Sequence, residues 1–211
     1  GNKLLEIYVM RDDPASDADV RALCLTLENS LNRKDIVVVA DYGHGMLTRQ
    51  SIGLLCDEAP YLALNVQSNA GNRGFNPISK YRRADYVCLA EHEVAIDTRQ
   101  RSGSVHDRLI DVLRRIDCPR FTVTRGRSGS LHYGPASEFS EVPAFAVRVL
   151  DRVGAGDAVL AVTSLFAKLG APWDVLGFVG NIAGALMVSE LGNSKPLDRV
   201  TLSKSIVSLM K

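Results

Sequence analysis

The strongest chemical signal in the chain is a turn of small residues that ends on an acid, Gly154-Ala155-Gly156-Asp157. It is reached through Val147-Arg148-Val149-Leu150-Asp151-Arg152-Val153 and followed by the apolar stretch Ala158-Val159-Leu160-Ala161-Val162. The pattern predicts an extended segment, a turn, and a helix that begins inside the turn. With side chains almost absent, successive backbone N–H groups can approach an anion while the positive end of the helix dipole faces it. An aspartate in that first helical turn would lie beside a bound phosphoryl group and could accept a proton from an attacking hydroxyl. Taken alone, the four residues favour a plainer reading, a glycine turn in which Asp157 caps a helix.

Other chemistries find less support. The sequence has no G-x-x-x-x-G-K-[ST], no H-R-D or D-F-G set and no G-x-S-x-G elbow. Any phosphate site must therefore be built on another glycine turn. Glu91-His92-Glu93 suggests a metal, but the second histidine of a helical H-E-x-x-H is missing, so acids at a surface helix start are the expected arrangement. His106 and His132 are isolated and read as surface or packing residues. The amide-rich stretch Asn65-Val66-Gln67-Ser68-Asn69-Ala70-Gly71-Asn72-Arg73-Gly74-Phe75-Asn76 reads either as a polar binding loop or as an asparagine-rich turn.

The elements that must position these residues are legible from punctuation and periodicity. Ile36–Ala40, Leu62–Val66, Tyr86–Leu89 and Phe121–Thr124 are short apolar runs that predict buried parallel strands. Leu131–Tyr133 predicts an antiparallel excursion and Phe145–Leu150 a further strand. Helices are expected over Ala18–Ser30, Thr48–Glu58, Glu91–Asp97 and Val105–Ile116. Three more should follow Ala155, broken near Gly170-Ala171-Pro172 and at Gly192–Pro196. Strands alternating with helices imply an α/β fold, a mainly parallel sheet covered on both faces, with ligands at the carboxyl ends of its strands.

The whole chain agrees with that class. Its 211 residues, 25 Lys+Arg against 24 Asp+Glu, and 46% hydrophobic content fit one globular α/β domain. They leave no broad basic field for nucleic acid. The N-terminal apolar run Leu4–Met10 is too short to span or target a membrane. Cys24, Cys56, Cys88 and Cys118 are far apart, without a C-x-x-C, and read as small core residues of a reducing compartment, so a cytoplasmic location is expected.

Four ordered segments carry a resemblance. Asp151-Arg152-Val153-Gly154-Ala155-Gly156-Asp157 resembles the D-T-T-G-A-G-D signature of PfkB/ribokinase-type carbohydrate kinases. Ala40-Asp41-Tyr42-Gly43-His44-Gly45-Met46-Leu47-Thr48 is similar to the S-D-Y-x-K-G-x-L-T stretch of bacterial heptose-7-phosphate kinases. Thr124-Arg125-Gly126-Arg127-Ser128-Gly129 is similar to the family's T-x-G-x-x-G strand and turn. Asn181-Ile182-Ala183-Gly184-Ala185 through Glu190-Leu191-Gly192 resembles the helix and loop that close over the adenine.

The resemblance implies a ribokinase-like three-layer α/β/α fold and ATP-dependent phosphorylation of a sugar or sugar phosphate. It implies Asp157 as catalytic base and the amides of Gly154, Ala155 and Gly156 as an anion hole. Thr124, Gly126, Asn181 and Gly192 would line the nucleotide site, and Asp41, Asn65 and Asn69 would face the acceptor. Glu93, matching the glutamate of an N-x-x-E motif, would help organise Mg2+, and Asp151 would match a monovalent-cation (K+) ligand. The departures are specific: Ala90 stands at the motif's asparagine, Arg152 and Val153 replace two threonines, His44 stands where heptose kinases carry lysine, and Asn65-Val66-Gln67 falls where they read D-P-K. They motivate a second expectation, a nucleotide- or sugar-binding regulatory module, and a third, a kinase of a nucleoside or other small alcohol.

Members of the family open with a longer N-terminal portion that includes a lid. Here Gly1–Val9 resembles the strand leading out of that lid. The expectation is a single PfkB-type domain over residues 1–211 that lacks the N-terminal strand and lid. A homodimer would cover an edge or apolar face left open, and a nucleotidyltransferase domain could be fused in the full-length protein.

Overall fold

The computed structural model describes residue 7 and residues 15–211, except 70, 73, 135–137, 147 and 193. The strand expected over Gly1–Val9, apart from Ile7, and two positions of the amide-rich loop, Ala70 and Arg73, lie outside the described residues. In chain order the elements are α1 (Asp17–Leu31), β1 (Val37–Asp41), α2 (Arg49–Glu58), β2 (Leu62–Val66), β3 (Tyr86–Ala90), α3 (Glu91–Thr98) and α4 (Val105–Leu113). They continue with β4 (Phe121–Thr124), β5 (Ser130–Tyr133), β6 (Phe139–Val142), α5 (Ala155–Lys168), α6 (Trp173–Val188) and α7 (Arg199–Leu209).

The six strands form one sheet in the order β1-β2-β3-β4-β5-β6. The first four run parallel, whereas β5 and β6 are antiparallel additions. Consecutive residues of β2 and β3 serve opposite faces. Leu62, Leu64, Val66, Val87 and Leu89 join the core beneath α2 and α4, with Leu55, Leu109 and Val112. Ala63, Tyr86 and Cys88 join the core beneath α5 and α6, with Val159, Leu160 and Leu176. An apolar run buried on both faces is what a parallel strand between two helical layers requires. The fold is therefore of the expected α/β class, three layers around a mainly parallel sheet.

Helix starts follow local chemistry. Ser16 caps α1 by accepting the Asp19 N–H, Ser104 caps α4 through Asp107, and Asp198 caps α7 through Val200 and Thr201. On the α5 side, Gly180 of α6 lets the two helices close: a Cβ there would meet Thr163 Cγ2 at 2.5 Å. The Thr163 hydroxyl in turn accepts the buried Tyr86 hydroxyl at 2.8 Å, tying α5 to β3.

Among its described residues the strand expected over Phe145–Leu150 is not formed; the last described strand is β6, and the chain leaves the sheet at Pro143, which has no N–H to donate. Phe145 packs edge-on against Phe178 instead, while the N–H groups of Leu150 and Asp151 both donate to Val188 O at the end of α6. All four cysteines are buried and free. Among the described residues no helix is long and apolar enough to cross a membrane.

Candidate active site

The turn before α5 has the conformation its glycines permit. Gly154 takes φ +77° in the left-handed region, where a Cβ would be strained, and α5 begins at the next residue. Ala155 donates weakly to Arg152 O at 3.4 Å, and Ala158 closes the first helical turn on Gly154 O at 3.0 Å. The intervening N–H groups, those of Gly156 and Asp157, find no backbone acceptor among the described residues. A Cβ on Gly156 would meet nothing within 4 Å, so the space in front of these donors is open. Unpaired N–H groups at a helix N-terminus are donors that an anion could meet.

Asp151 braces the turn. One carboxylate oxygen accepts the Val153 N–H at 3.1 Å and the other the Gly192 N–H at 3.0 Å, so the approach to α5 is fastened to the loop after α6. Gly192 takes φ +59° to present that N–H.

Asp157 sits at the carboxyl ends of β1, β2 and β3. The Gln67 carboxamide donates to Asp157 Oδ1 at 3.1 Å. Tyr42 lies close enough to this carboxylate to feel it: burial first, and the Asp157 charge second, raise the Tyr42 pKa. Glu93 comes next. It is 8% exposed, and its two oxygens accept the Ala90 N–H at 2.7 Å and the Ser68 N–H at 3.1 Å. Burial pushes its carboxyl up, with the Asp157 charge adding, while the two N–H bonds pull it back. The expectation of a surface helix start at Glu91–Glu93 is thus half corrected: α3 does start there, but Glu93 turns inward, because its carboxylate closes the start of α3 and the loop after β2 at once. Cys88 lies below, its thiol pushed up to about 12 by burial and by the Glu93 and Asp157 charges, which leaves it an uncharged packing residue.

The acceptor-side candidates are built into the walls. Asp41 is 3% exposed, and its carboxylate takes the Tyr81 hydroxyl at 2.6 Å, the Lys80 ammonium at 2.5 Å and the Gly43 N–H at 2.9 Å. Asn65 is buried at the end of β2, donating to Cys88 O at 2.8 Å, and its Oδ1 is buried without a partner. Asn69 accepts the N–H groups of Gly71 and Asn72 and donates to Tyr42 O at 2.8 Å. Asn72 and Asn76 complete the network by donating to Gln67 O at 3.0 and 3.1 Å. The described amides of this stretch therefore lock the loops after β1 and β2 together. In doing so they hold Tyr42 and Gln67 in place.

The nucleotide-side candidates gather at the β4–β6 end. Thr124 ends β4, paired with Ala90 and Ser130, and Gly126 takes φ +56° at the start of a single 3-10 turn. That turn ends at Gly129, φ +80°, which packs against Val142 and Pro143. Asn181 of α6 holds the same segment, donating to Val142 O at 3.1 Å and Pro143 O at 2.8 Å. Among the described residues no group of three His, Cys, Asp or Glu side chains is arranged to hold a metal, and Glu93 and Asp151 do not meet in one.

Tyr42 and Gln67 were quoted in the sequence motifs without a role. Their signal was position, each being the first residue past the carboxyl end of a parallel strand, where ligands of such sheets bind.

Comparison with known proteins bears on family and fold. The family model described as pfkB family carbohydrate kinase matches residues 63–199. The chain is 33% identical over 184 residues to the bifunctional protein HldE of Bradyrhizobium diazoefficiens, covering 86% of this chain but only 37% of that protein. It thus spans just over a third of the curated relatives it matches. Among solved structures, ribokinase from Thermotoga maritima superposes with a TM-score of 0.68 at 19% identity, over 85% of this chain and 59% of that one. Phosphofructokinase-2 from Escherichia coli in complex with potassium gives 0.77 at 15% identity, over 97% and 66%. These two likenesses establish the fold, and the family match with the HldE relationship establishes descent: the chain belongs to the pfkB family of carbohydrate kinases.

Proposed function

We propose that the chain transfers the terminal phosphoryl group of ATP to a hydroxyl of a sugar or sugar phosphate, a heptose-7-phosphate kinase-like reaction with Asp157 as general base. The observation that carries this reading is the pairing of an accessible carboxylate with unpartnered N–H groups in the same helical turn, at the carboxyl ends of β1 to β3. The acceptor hydroxyl donates to Asp157, which takes its proton as the oxygen attacks phosphorus and the bond to the leaving ADP breaks. The N–H groups at the start of α5 and the helix dipole offset the charge on the phosphoryl oxygens. Gln67 keeps Asp157 aimed throughout.

Thr124, Gly126, Asn181 and Gly192 form the nucleotide side of this reading, and Asp41, Asn65 and Asn69 shape the acceptor side through the loops they hold. Mg2+, when bound with the nucleotide, supplies charge neutralisation between the phosphates. A hard cation that keeps several waters fits two neighbouring carboxylates such as Glu93 and Asp157, without a dedicated cage. Asp151 would take K+. The HldE relatives are bifunctional by name; a fused nucleotidyltransferase domain, a homodimer and a cytoplasmic location belong to the same proposal for the full-length protein.

One observation favours a second reading, nucleotide binding without turnover. Ala90 caps α3 with no side chain that could reach a metal or phosphate, which leaves Glu93 alone at that wall. Calorimetry with Mg2+ and ATP, alongside an acceptor screen that includes heptose phosphates and nucleosides, separates the readings. The kinase reading expects Asp157→Asn to lose about 10²–10⁴-fold in turnover with nucleotide affinity nearly unchanged. Equal loss of both would remove Asp157 from the chemistry, and binding without turnover on every acceptor would favour the second reading.

A further inference from the structure

The turn after β4 is tied to the start of α3 by a side chain of the turn itself. Thr124 of β4 pairs with Ala90 of β3, so the first residues past the two strands, Arg125 and Glu91, leave the sheet side by side. Side chains alternate along β4: Phe121 and Val123 pack into the core beneath α2 and α4, and Arg125 continues that face. Its guanidinium accordingly meets the layer of α3 and α4, with Nε 3.8 Å from Glu91 Oε2 and Nη1 3.0 Å from Glu141 Oε2 of β6. Both nitrogens are shut off from water and meet these carboxylates as ion pairs rather than as aligned hydrogen bonds. The Arg125 backbone closes the turn: its N–H donates to Gly129 O at 2.8 Å, and its carbonyl accepts the Ser128 N–H at 3.1 Å.

Glu91 is a fixed anchor. Arg108 of α4, its side chain 8% exposed, donates to Glu91 Oε1 at 2.9 Å. Two guanidiniums and two carboxylates thus join α3, α4, β6 and the turn, and ion contacts shielded from water are screened less than those in open solvent. In the same first turn of α3, Glu93 accepts the Ala90 and Ser68 N–H groups. The start of α3 is therefore held on one side by the turn after β4 and on the other by the loop that carries Gln67.

We infer that Arg125 is a positioning residue for nucleotide binding: by pinning the Gly126–Gly129 turn to Glu91, it holds the turn's backbone where a nucleotide meets it. This role rests on the turn being the nucleotide side, as proposed for Thr124 and Gly126. Gly126 and Gly129 both take positive φ, +56° and +80°, and a glycine backbone has little stiffness of its own. The stiffness is supplied from the α3 side, by a guanidinium that touches no nucleotide.

The test is calorimetric titration of the full chain with ATP and Mg2+, alongside thermal unfolding. Arg125→Met, which keeps most of the stem's length and packing, should weaken nucleotide binding about tenfold, and Arg125→Lys should recover part of the loss. Glu91→Gln should weaken binding in the same direction. The double variant should bind no worse than the weaker single one, because both changes break one contact. Additive losses, or parental affinity in either Arg125→Met or Glu91→Gln, would overturn the inference. A lower Tm with unchanged affinity would make Arg125 a structural residue only and overturn it as well. Gly156→Val keeps this result apart from the kinase reading: a parent chain that binds ATP, and loses it in Gly156→Val, supports that reading whatever Arg125 does. A parent chain that binds no nucleotide removes both.

Discussion

Gln67 and Asp157, 90 residues apart in sequence, meet through a single hydrogen bond, Gln67 Nε2 to Asp157 Oδ1 at 3.1 Å. The backbone behind it is held on both sides: the Gln67 N–H donates to Asp41 O at 2.8 Å, and its carbonyl accepts from Asn72 and Asn76. A side chain that leaves so constrained a backbone can aim a carboxylate. Gln67→Ala is expected to lower kcat about tenfold, the worth of one oriented hydrogen bond to a charged group, with acceptor KM and nucleotide affinity little changed. Steady-state kinetics with calorimetric nucleotide titration checks the split. An unchanged kcat would show that Asp157 keeps its aim without Gln67.

His132 predicts how stability varies with pH. It is fully buried between the Thr122 hydroxyl at 2.9 Å and the Ser130 hydroxyl at 2.8 Å, stacked on Trp173. Burial, with the Arg120 charge adding, lowers its pKa from 6.5 to about 4. In the folded chain it therefore stays neutral where the unfolded chain takes up a proton. Stability from this group is full above pH 6.5 and falls as the pH drops toward 4, by on the order of 3 kcal/mol. Urea unfolding at pH 7 and pH 4.5 should show the loss, and His132→Gln should flatten it. A variant with the same pH dependence as the parent chain would assign the effect elsewhere.

Gly129 and Gly156 should separate structural from chemical glycines. At Gly129, φ is +80° and a Cβ would collide with the Val142 carbonyl and the Pro143 backbone. Gly129→Ala is expected to cost about 2–4 kcal/mol of stability, together with nucleotide affinity, since the Thr124–Gly129 turn would shift. Gly156→Val meets open space and should leave chain unfolding nearly unchanged while weakening nucleotide binding. Denaturant melts paired with calorimetry distinguish the two. Similar melts for both variants would refute the contrast.

Much of this arrangement was legible in the residues. The runs Leu62–Val66 and Phe121–Thr124 are strands over the residues expected, because β-branched and apolar side chains buried on both faces leave no other element compatible with their length. The expected strand at Phe145–Leu150 failed for a reason sequence periodicity does not register: Pro143 ends the ladder, Phe145 packs on Phe178 of α6 instead of on a neighbouring strand, and Val149 and Leu150 stay exposed. The amide-rich loop likewise admitted two readings, and only its spatial partners, mostly backbone carbonyls and N–H groups, showed that its described amides are internal fasteners.

The sequence by itself determined the α/β class, the glycine turn and acid at the start of α5, and the ordered motifs that carry the family. These are local properties, set by side-chain volume, backbone freedom and hydrophobic period. Tertiary structure decided which groups stand around Asp157. Tyr42, Gln67 and Glu93 come from three separate strand ends, and only the parallel register of β1 to β3 brings those ends to one edge of the sheet. It also decided that Asp41 and Asn69 act within the walls, and that Arg125 meets Glu91. Such outcomes depend on which distant hydrogen-bonding groups each side chain meets once the layers have packed, and no window along the chain contains that information.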